Sequence, residues 1–407
     1  MQVAAVLCLH PFVTYMKIAY LTSRRIPNNE PDVQQMLHTA VALRNCGINV
    51  DILFPRRWRQ VFLSRRSLTQ LAAQYYNIPS ESLSLVPLPP VLHLAEPLAS
   101  EGLDRFSTML ADVSSLFPGM MKAKNVGHEM IYTRRWLNAV ASTRIGIPTI
   151  FETYTDVSAD HLRKYCDLDL LVGVVAHSRV AAASLVKRGL PKDRIFVCYN
   201  GYNPADLLPV LNRSEARNLL GLPREHAIVC YTGRLKLMKA PESILQVARF
   251  VPDVLFMLVG ATTVEGRKLQ EQAREENISN IKIIEWVNPN YISRYLYAAD
   301  VLMIPPSSLP LRTGRTVLPL KTFLYMASGR PLIAPDLPDL REILEHERNA
   351  VLTPADQPEQ AAKAVRRLLT DPAFSQTLSK NAAVDAQGFT WQQRGRRLAQ
   401  FLSSCTS

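Results

Sequence analysis

At 407 residues the chain has room for two domains, since domains commonly hold about 100–200 residues. Hydrophobic residues make up 47% of it and charged residues 20%, which excludes intrinsic disorder, and no apolar run reaches the roughly 18 residues of a membrane span. The formal net charge of +12 lies mainly in the second half and suits nucleic acid, anionic lipid or phosphorylated small molecules without choosing among them.

The segment before Met16 is apolar but lacks the basic start and small-residue cleavage site of a signal peptide, and reads as a weakly ordered extension. Residues 17–22 form the first expected strand. Residues 32–45 follow as a helix, with Met36, Leu37, Ala40, Val41 and Leu43 at helical spacing and Gly47 just past the end. Residues 48–54 are the next strand, and a strand–helix–strand unit predicts a parallel, doubly wound sheet. Residues 55–67 carry Arg56, Arg57, Arg59, Arg65 and Arg66 around Trp58, Val61, Phe62 and Leu63. One reading of this segment is a contact with anionic headgroups at a membrane surface, and the other is a solvated basic helix. Residues 79–96 are proline-rich and irregular. Further strands are expected at 148–152, 169–175 and 194–198, with a helix at 180–189. Residues 202–212 hold two prolines and little periodicity, as an interdomain linker would. A helix from Ser214, closed by Gly221, then opens a second series, with strands at 227–231, 254–259, 281–285, 301–304 and 331–334. An amphipathic helix at 391–403 ends it. The six cysteines (Cys8, Cys46, Cys166, Cys198, Cys230, Cys405) form no C-x-x-C pair, so they signal neither a zinc site nor a disulfide framework and fit reduced thiols in the cytoplasm.

Ligands of open α/β sheets lie outside the carboxyl ends of the strands, so the residues just past strand ends carry the candidates. After the strand at 227–231 come Gly233, Arg234 and Lys239. Gly233 permits a tight turn, and the two cations offer a forked donor and a point charge, as a diphosphate requires. A solvated basic loop is the alternative. Arg312, Thr313, Gly314, Arg315 and Thr316 form a second polar loop, leading into a helix near 320–327 that Gly329 ends. A helix N-terminus presents free N–H groups and the positive end of its dipole, so Thr316, Val317, Leu318 and Leu320, with Lys321, would enclose the same diphosphate. Glu285 and Trp286, past another strand, read as a base contact or as packing. His177 reads as a hydrogen-bonded structural histidine.

In their order and spacing these segments resemble the group 1 retaining glycosyltransferases of the GT-B fold. The resemblance runs over nearly the whole chain from Met16. It rests on Cys46-Gly47, on Val175-Ala176-His177-Ser178 with Asn200-Gly201, and on the helix from Arg213 to Gly221. It also rests on Gly233-Arg234-Leu235 with Lys239, on Ala299-Asp300-Val301-Leu302, on Pro319-Leu320-Lys321 and on Ala327-Ser328-Gly329-Arg330-Pro331. It implies two Rossmann-like α/β domains facing each other across a cleft: 16–205 on the acceptor side, 206–388 for a nucleotide-diphosphate sugar, and 389–407 as a helix crossing back to the first domain. Arg234 and Lys239 match the family's basic pair on the donor diphosphate. The acceptor would sit near Asn28, Asn29 and Glu30, where the family has a glycine-rich turn, and Glu152 and Tyr154 would face the reacting sugar.

The resemblance further implies a UDP or GDP donor and no metal or other cofactor, the leaving diphosphate being stabilised by cations and a helix N-terminus. It implies retention, a glycan or lipid-linked acceptor, a place in polysaccharide biosynthesis, and a cytoplasmic protein peripheral to the membrane. Four positions depart from the pattern. Thr316 and Leu324 stand where many relatives carry glutamates, Tyr154 stands for a frequent histidine, and Ala240 stands for a glycine. These departures leave an inactive scaffold or partner subunit as the alternative. Asp167-Leu168-Asp169 spells a metal–nucleotide signature, but at the start of a strand, where exposed carboxylates are the plainer reading. A dinucleotide oxidoreductase would need G-x-G-x-x-G after a strand, which is missing here. The dispersed basic residues do not form a nucleic-acid surface.

Overall fold

Short runs rich in Val, Ile and Leu alternate with helices, and such runs pair in parallel because helices cover both faces of the sheet they build. The computed structural model describes residues 16–28, 30–56, 60–89, 101–153, 157–235, 239–312 and 318–405. Among them the first sheet comprises β1 (Lys17–Leu21), β2 (Asn49–Pro55), β3 (Leu85–Leu88), β4 (Met130–Thr133), β5 (Thr149–Thr153), β6 (Leu171–Ala176) and β7 (Ile195–Val197). Their spatial order is β3-β2-β1-β4-β5-β6-β7. The second sheet comprises β8 (Ile228–Thr232), β9 (Leu255–Ala261), β10 (Ile281–Glu285), β11 (Val301–Met303), β12 (Leu332–Pro335) and β13 (Val351–Thr353), in the order β10-β9-β8-β11-β12-β13. All the paired strands are parallel, as two Rossmann-like domains require. The strand order reverses between β1 and β4 in one sheet and between β8 and β11 in the other. Each reversal leaves a crevice at the carboxyl ends of its two strands.

Residues 79–96, expected to be irregular, contain β3. Pro87 does not break this strand because β3 is the edge of the sheet and pairs only with β2, so a missing N–H costs no ladder bond on the open side.

The last helix, Trp391–Ser404, returns to the first domain and lies along the helix Pro31–Arg44. Gly395 sets how close the two helices come. A Cβ there would stand 2.6 Å from the Cβ of Ala42 and 2.8 Å from its backbone. Leu398 and Leu402 enter the first domain's core, and Trp391 stacks on His38 with ring centroids 5.4 Å apart. The chain crosses between domains twice side by side, where Tyr202 and Phe389 to Trp391 exchange backbone hydrogen bonds of 3.0 and 3.1 Å. Gly201 permits that crossing, since a Cβ would lie 2.6 Å from the carbonyl oxygen of Phe389.

Candidate active site

The loop after β8 is built around a bare backbone. Gly233 takes φ +136°, which side-chain-bearing residues rarely adopt, and a Cβ there would collide with Nζ of Lys321. Gly260, at φ +117°, approaches from the other side, where a Cβ would lie 2.6 Å from the carbonyl oxygen of Gly233. The space under the loop holds the Lys321 ammonium, 3.6 Å from the ring centroid of Tyr231. The Tyr231 hydroxyl donates to the carbonyl of Arg234 at 3.0 Å and fixes the loop. Burial, and then repulsion from Lys239, pushes the Lys321 ammonium well below its usual range. Among the described residues no carboxylate pairs with Lys321. Arg234, Lys239 and Lys321 thus gather at the crevice between β8 and β11.

Ala240 follows with φ +51° and is buried. The departure from glycine is therefore one of side chain and not of backbone shape, since alanine tolerates the left-handed region at a cost of about 1–2 kcal/mol. Ala240→Gly is expected to unfold within about 1 kcal/mol of the parent in urea. Ala240→Val should lose about 2 kcal/mol, because a β-branched residue fits that backbone badly.

Glu30 faces this loop from the first domain. Its carboxylate accepts from Arg234 Nη1 at 2.5 Å, so the loops after β1 and β8 meet across the cleft through an ion pair. Asn28 uses its side chain to shape the turn: Nδ2 donates to the carbonyl of Arg25 at 2.7 Å, and Oδ1 accepts from the N–H of Glu30 at 2.8 Å. The hydroxyl of Tyr76 clasps the Asn28 backbone, donating to its carbonyl at 2.6 Å and accepting its N–H at 2.9 Å. Beside it, Tyr75 stacks on Trp286 of the second domain, with centroids 5.8 Å apart and planes at 18°. A third contact across the domains comes from Glu342. It accepts from the N–H groups of Arg179 (2.7 Å) and Val180 (2.8 Å), at the start of the helix Arg179–Lys187, and from the Tyr199 hydroxyl (2.6 Å).

Comparison with known proteins places this arrangement. Residues 226–371, the span that carries the cation loop, match the family described as glycosyl transferases group 1. A D-inositol 3-phosphate glycosyltransferase of Thermobispora bispora is 24% identical over 337 residues, covering 74% of this chain and 77% of its own. Its second half thus matches the group 1 glycosyl transferases, and the relatives found over most of the chain are glycosyltransferases. Solved structures agree on the GT-B fold of this glycosyltransferase. Sucrose-phosphate synthase from Thermosynechococcus elongatus superposes with a TM-score of 0.73 at 18% identity, over 96% of this chain and 98% of its own. Anabaena HepE, solved in complex with UDP and glucose, superposes with a TM-score of 0.67 at 17% identity, over 96% and 100%.

Within the transferase, Glu152 does not face the cleft as expected. It is 2% exposed, and its oxygens accept from Gln35 Nε2 (2.6 Å), the Tyr132 hydroxyl (2.6 Å) and Arg394 Nη2 (2.8 Å). Burial by itself would raise its pKa, but Arg394 and then Arg134 hold it below the ordinary carboxylate value. It anchors the returning helix, because it is buried and both its oxygens accept hydrogen bonds inside the domain, one of them from Arg394 of that helix. Tyr154, Asn29, Thr316 and Val317 lie outside the described residues, as do the segment before Met16 and residues 57–59 of the basic stretch. Leu318 is buried in the second domain's core, and Leu324, in the place of a glutamate, packs half-buried against it. Leu320 precedes the helix Lys321–Ala327. Glu285 accepts from the Thr263 hydroxyl at 3.0 Å, and its neighbour Trp286 packs on Tyr75 across the domains. His177 is buried beside the carbonyl of Thr153, at 3.3 Å, and burial pushes its pKa down to about 4. Asp167 accepts the N–H of Asp169 at 2.9 Å, while the Asp169 side chain is 97% exposed and lies 3.7 Å from Arg194.

Sequence reasoning missed Gly260, Tyr75 and Glu342. A second glycine at a strand end was a usable signal for the first. Nothing local marked the others, whose partners are distant in the chain: Arg179 lies 163 residues from Glu342.

Proposed function

We propose that this transferase moves a hexosyl group from a UDP- or GDP-linked donor to a glycan or lipid-linked acceptor. The reading carries retention at the anomeric carbon and needs no metal or other cofactor. The observation that carries it is the convergence of Arg234, Lys239 and Lys321 around the bare backbone of Gly233 at the β8–β11 switch point. As the bond between the sugar's anomeric carbon and the diphosphate oxygen breaks, charge grows on that oxygen, and fixed cations in a partly dry crevice lower the cost. The UDP held by HepE, which shares this fold, supports the choice of nucleotide. The first domain, to about residue 205, would hold the acceptor. The linker and the Tyr202–Thr390 bridge would let the two halves close on the donor.

The test is calorimetric titration with UDP and GDP, with and without magnesium. Binding of one nucleotide without metal is the expected result. Binding of neither would favour the second reading, an inactive partner subunit, which Leu324 and the Glu30–Arg234 pair motivate. Binding should also take up protons. Lys321 has a lowered pKa in the free protein, and a bound diphosphate would raise it. Between those two values the complex gains a proton, and affinity falls as pH rises through that window. Titrations in buffers of different ionisation enthalpy should therefore give different apparent enthalpies, and identical enthalpies would remove Lys321 from the site.

The basic segment after β2 supports a peripheral position on the inner face of a membrane. Phe62 is 93% exposed, and Arg65 and Arg66 open the next helix. The protein is expected to cosediment with anionic liposomes at low salt and to lose that binding on Phe62→Ala with Arg66→Ala. An equal pellet for the double variant would remove the segment from the contact.

A further inference from the structure

One pocket of the first domain shares no residue with the loops after β1 and β8. It holds about 320 Å3 beside the edge strand β3, between the segment after β2 and the helix Glu101–Val126. Three cations, Arg56, Arg65 and Lys122, line it against a single carboxylate, Asp51. That carboxylate is engaged within the floor of the pocket: it accepts from the Ser84 hydroxyl, and His128 Nε2 stands 3.0 Å from it. Arg65 donates to Ser84 Oγ at 2.9 Å and Arg56 to the carbonyl of Val61 at 3.1 Å, so neither guanidinium is hydrogen-bonded to a carboxylate. Lys122 is exposed and makes no hydrogen bond or ion pair among the described residues. The two elements that carry these cations also expose apolar side chains. Phe62 leads the segment after β2 into the helix Arg65–Tyr76 and is almost wholly exposed. On the helix Glu101–Val126, Val113, Phe117 and Met121 recur every fourth residue and so share one face, and all three are exposed, Phe117 by 67%. Large apolar side chains grouped on an exposed face mark a contact surface.

We propose that this pocket receives the headgroup of an anionic phospholipid, its phosphodiester on Arg56, Arg65 and Lys122, with Phe62 and Phe117 entering the acyl boundary. Guanidinium groups present rigid forks to phosphate oxygens, and Lys122 adds a mobile point charge. The apolar side chains gain only where hydrocarbon receives them, so a soluble anion would satisfy the cations and leave the rings in water, whereas a lipid satisfies both. The lipid is a docking partner here and not the sugar acceptor. The inference rests on the reading of the basic segment as a membrane contact, and extends it to a second element and to one headgroup pocket.

The test is cosedimentation of the full-length protein with vesicles of phosphatidylcholine and with vesicles of phosphatidylcholine mixed with phosphatidylglycerol. Binding to the second and not to the first is expected. Arg56→Gln/Lys122→Gln should weaken that binding about tenfold or more, since both cations would meet the surface directly. Lys187→Gln/Lys192→Gln removes the same charge from exposed positions outside the pocket and should stay within about twofold of the parent. Phe117→Ala should weaken binding severalfold and leave its salt dependence as it was. Thermal unfolding shows that each variant is folded, and if the pocket double variant is not, Lys122→Gln alone carries the comparison. Equal loss in the two charge variants would reveal a general pull of charge, and no loss in the pocket variant would leave the pocket without a lipid. Either result overturns the proposal while the membrane contact itself stands. Displacement by inorganic phosphate, set against chloride at equal ionic strength, would also overturn it, as a free-anion site. Failure of the parent to bind the anionic vesicles would remove the membrane reading, and the pocket's lipid with it.

Discussion

Arg394→Leu is expected to destabilise the transferase by about 3–5 kcal/mol, the range for removing one partner of a buried ion pair. Arg394 and Glu152 are each 2% exposed, and their atoms approach to 2.8 Å. Arg394 also donates to the carbonyls of Cys198 (2.6 Å) and Tyr199 (3.0 Å) and to Thr39 Oγ1 (3.2 Å). Its loss leaves a buried carboxylate without its counter-charge and removes a donor from several backbone and hydroxyl acceptors. The double variant Glu152→Leu/Arg394→Leu should cost less than the sum of the two single changes, because it removes the orphaned charge as well. Urea unfolding of the four proteins measures the cycle, and additive losses would show that the pair is not coupled. The pair also predicts a pH dependence. The Glu152 pKa is lower folded than unfolded, so its contribution is present above the ordinary carboxylate pKa and is lost as pH falls through the folded value. The single variant Glu152→Gln should flatten that acid limb.

Arg234→Ala should weaken UDP binding by about 1.5–3 kcal/mol, or roughly 10- to 150-fold, as expected when a charge-assisted hydrogen bond to phosphate is lost. Glu30→Gln should act in the opposite direction. In the free protein the Glu30 carboxylate holds Arg234, and an incoming diphosphate must take that place. Removing the negative charge removes both the competitor and a repulsion, and affinity should rise severalfold with a weaker dependence on salt. An Arg234→Ala protein with undiminished UDP affinity would displace the donor site from this loop. Unchanged affinity in Glu30→Gln alone would mean that the ion pair opens without cost.

The fold was legible because it is written in short-range patterns. Alternating apolar strands and helices gave β1, β2 and β8 through β12 nearly to the residue. The edge strand β3 escaped because Pro87 looks like a breaker unless the strand's place in the sheet is known. The cation loop proposed to hold the donor was legible in part: Gly233, Arg234 and Lys239 stand together in the chain, and Lys321 follows the second polar loop. Glu152 was misjudged because a carboxylate at a strand end looks the same whether it meets solvent or an arginine from the far end of the chain. The Glu30–Arg234 pair, 204 residues apart, depends on how two domains face each other, which no local spacing encodes.

The returning helix has a consequence for how the protein is made. Domains usually fold in turn as a growing chain leaves the ribosome. Here the first domain emerges with Glu152 in its interior and a groove along Pro31–Arg44, while the arginine and leucines that fill them are 242 residues behind Glu152. Until translation reaches residue 394 and beyond, the nascent first domain carries an uncompensated carboxylate and an open apolar seam. Synthesis of the whole second domain is thus the waiting time before the first can close, an interval in which a chaperone would find a ready client.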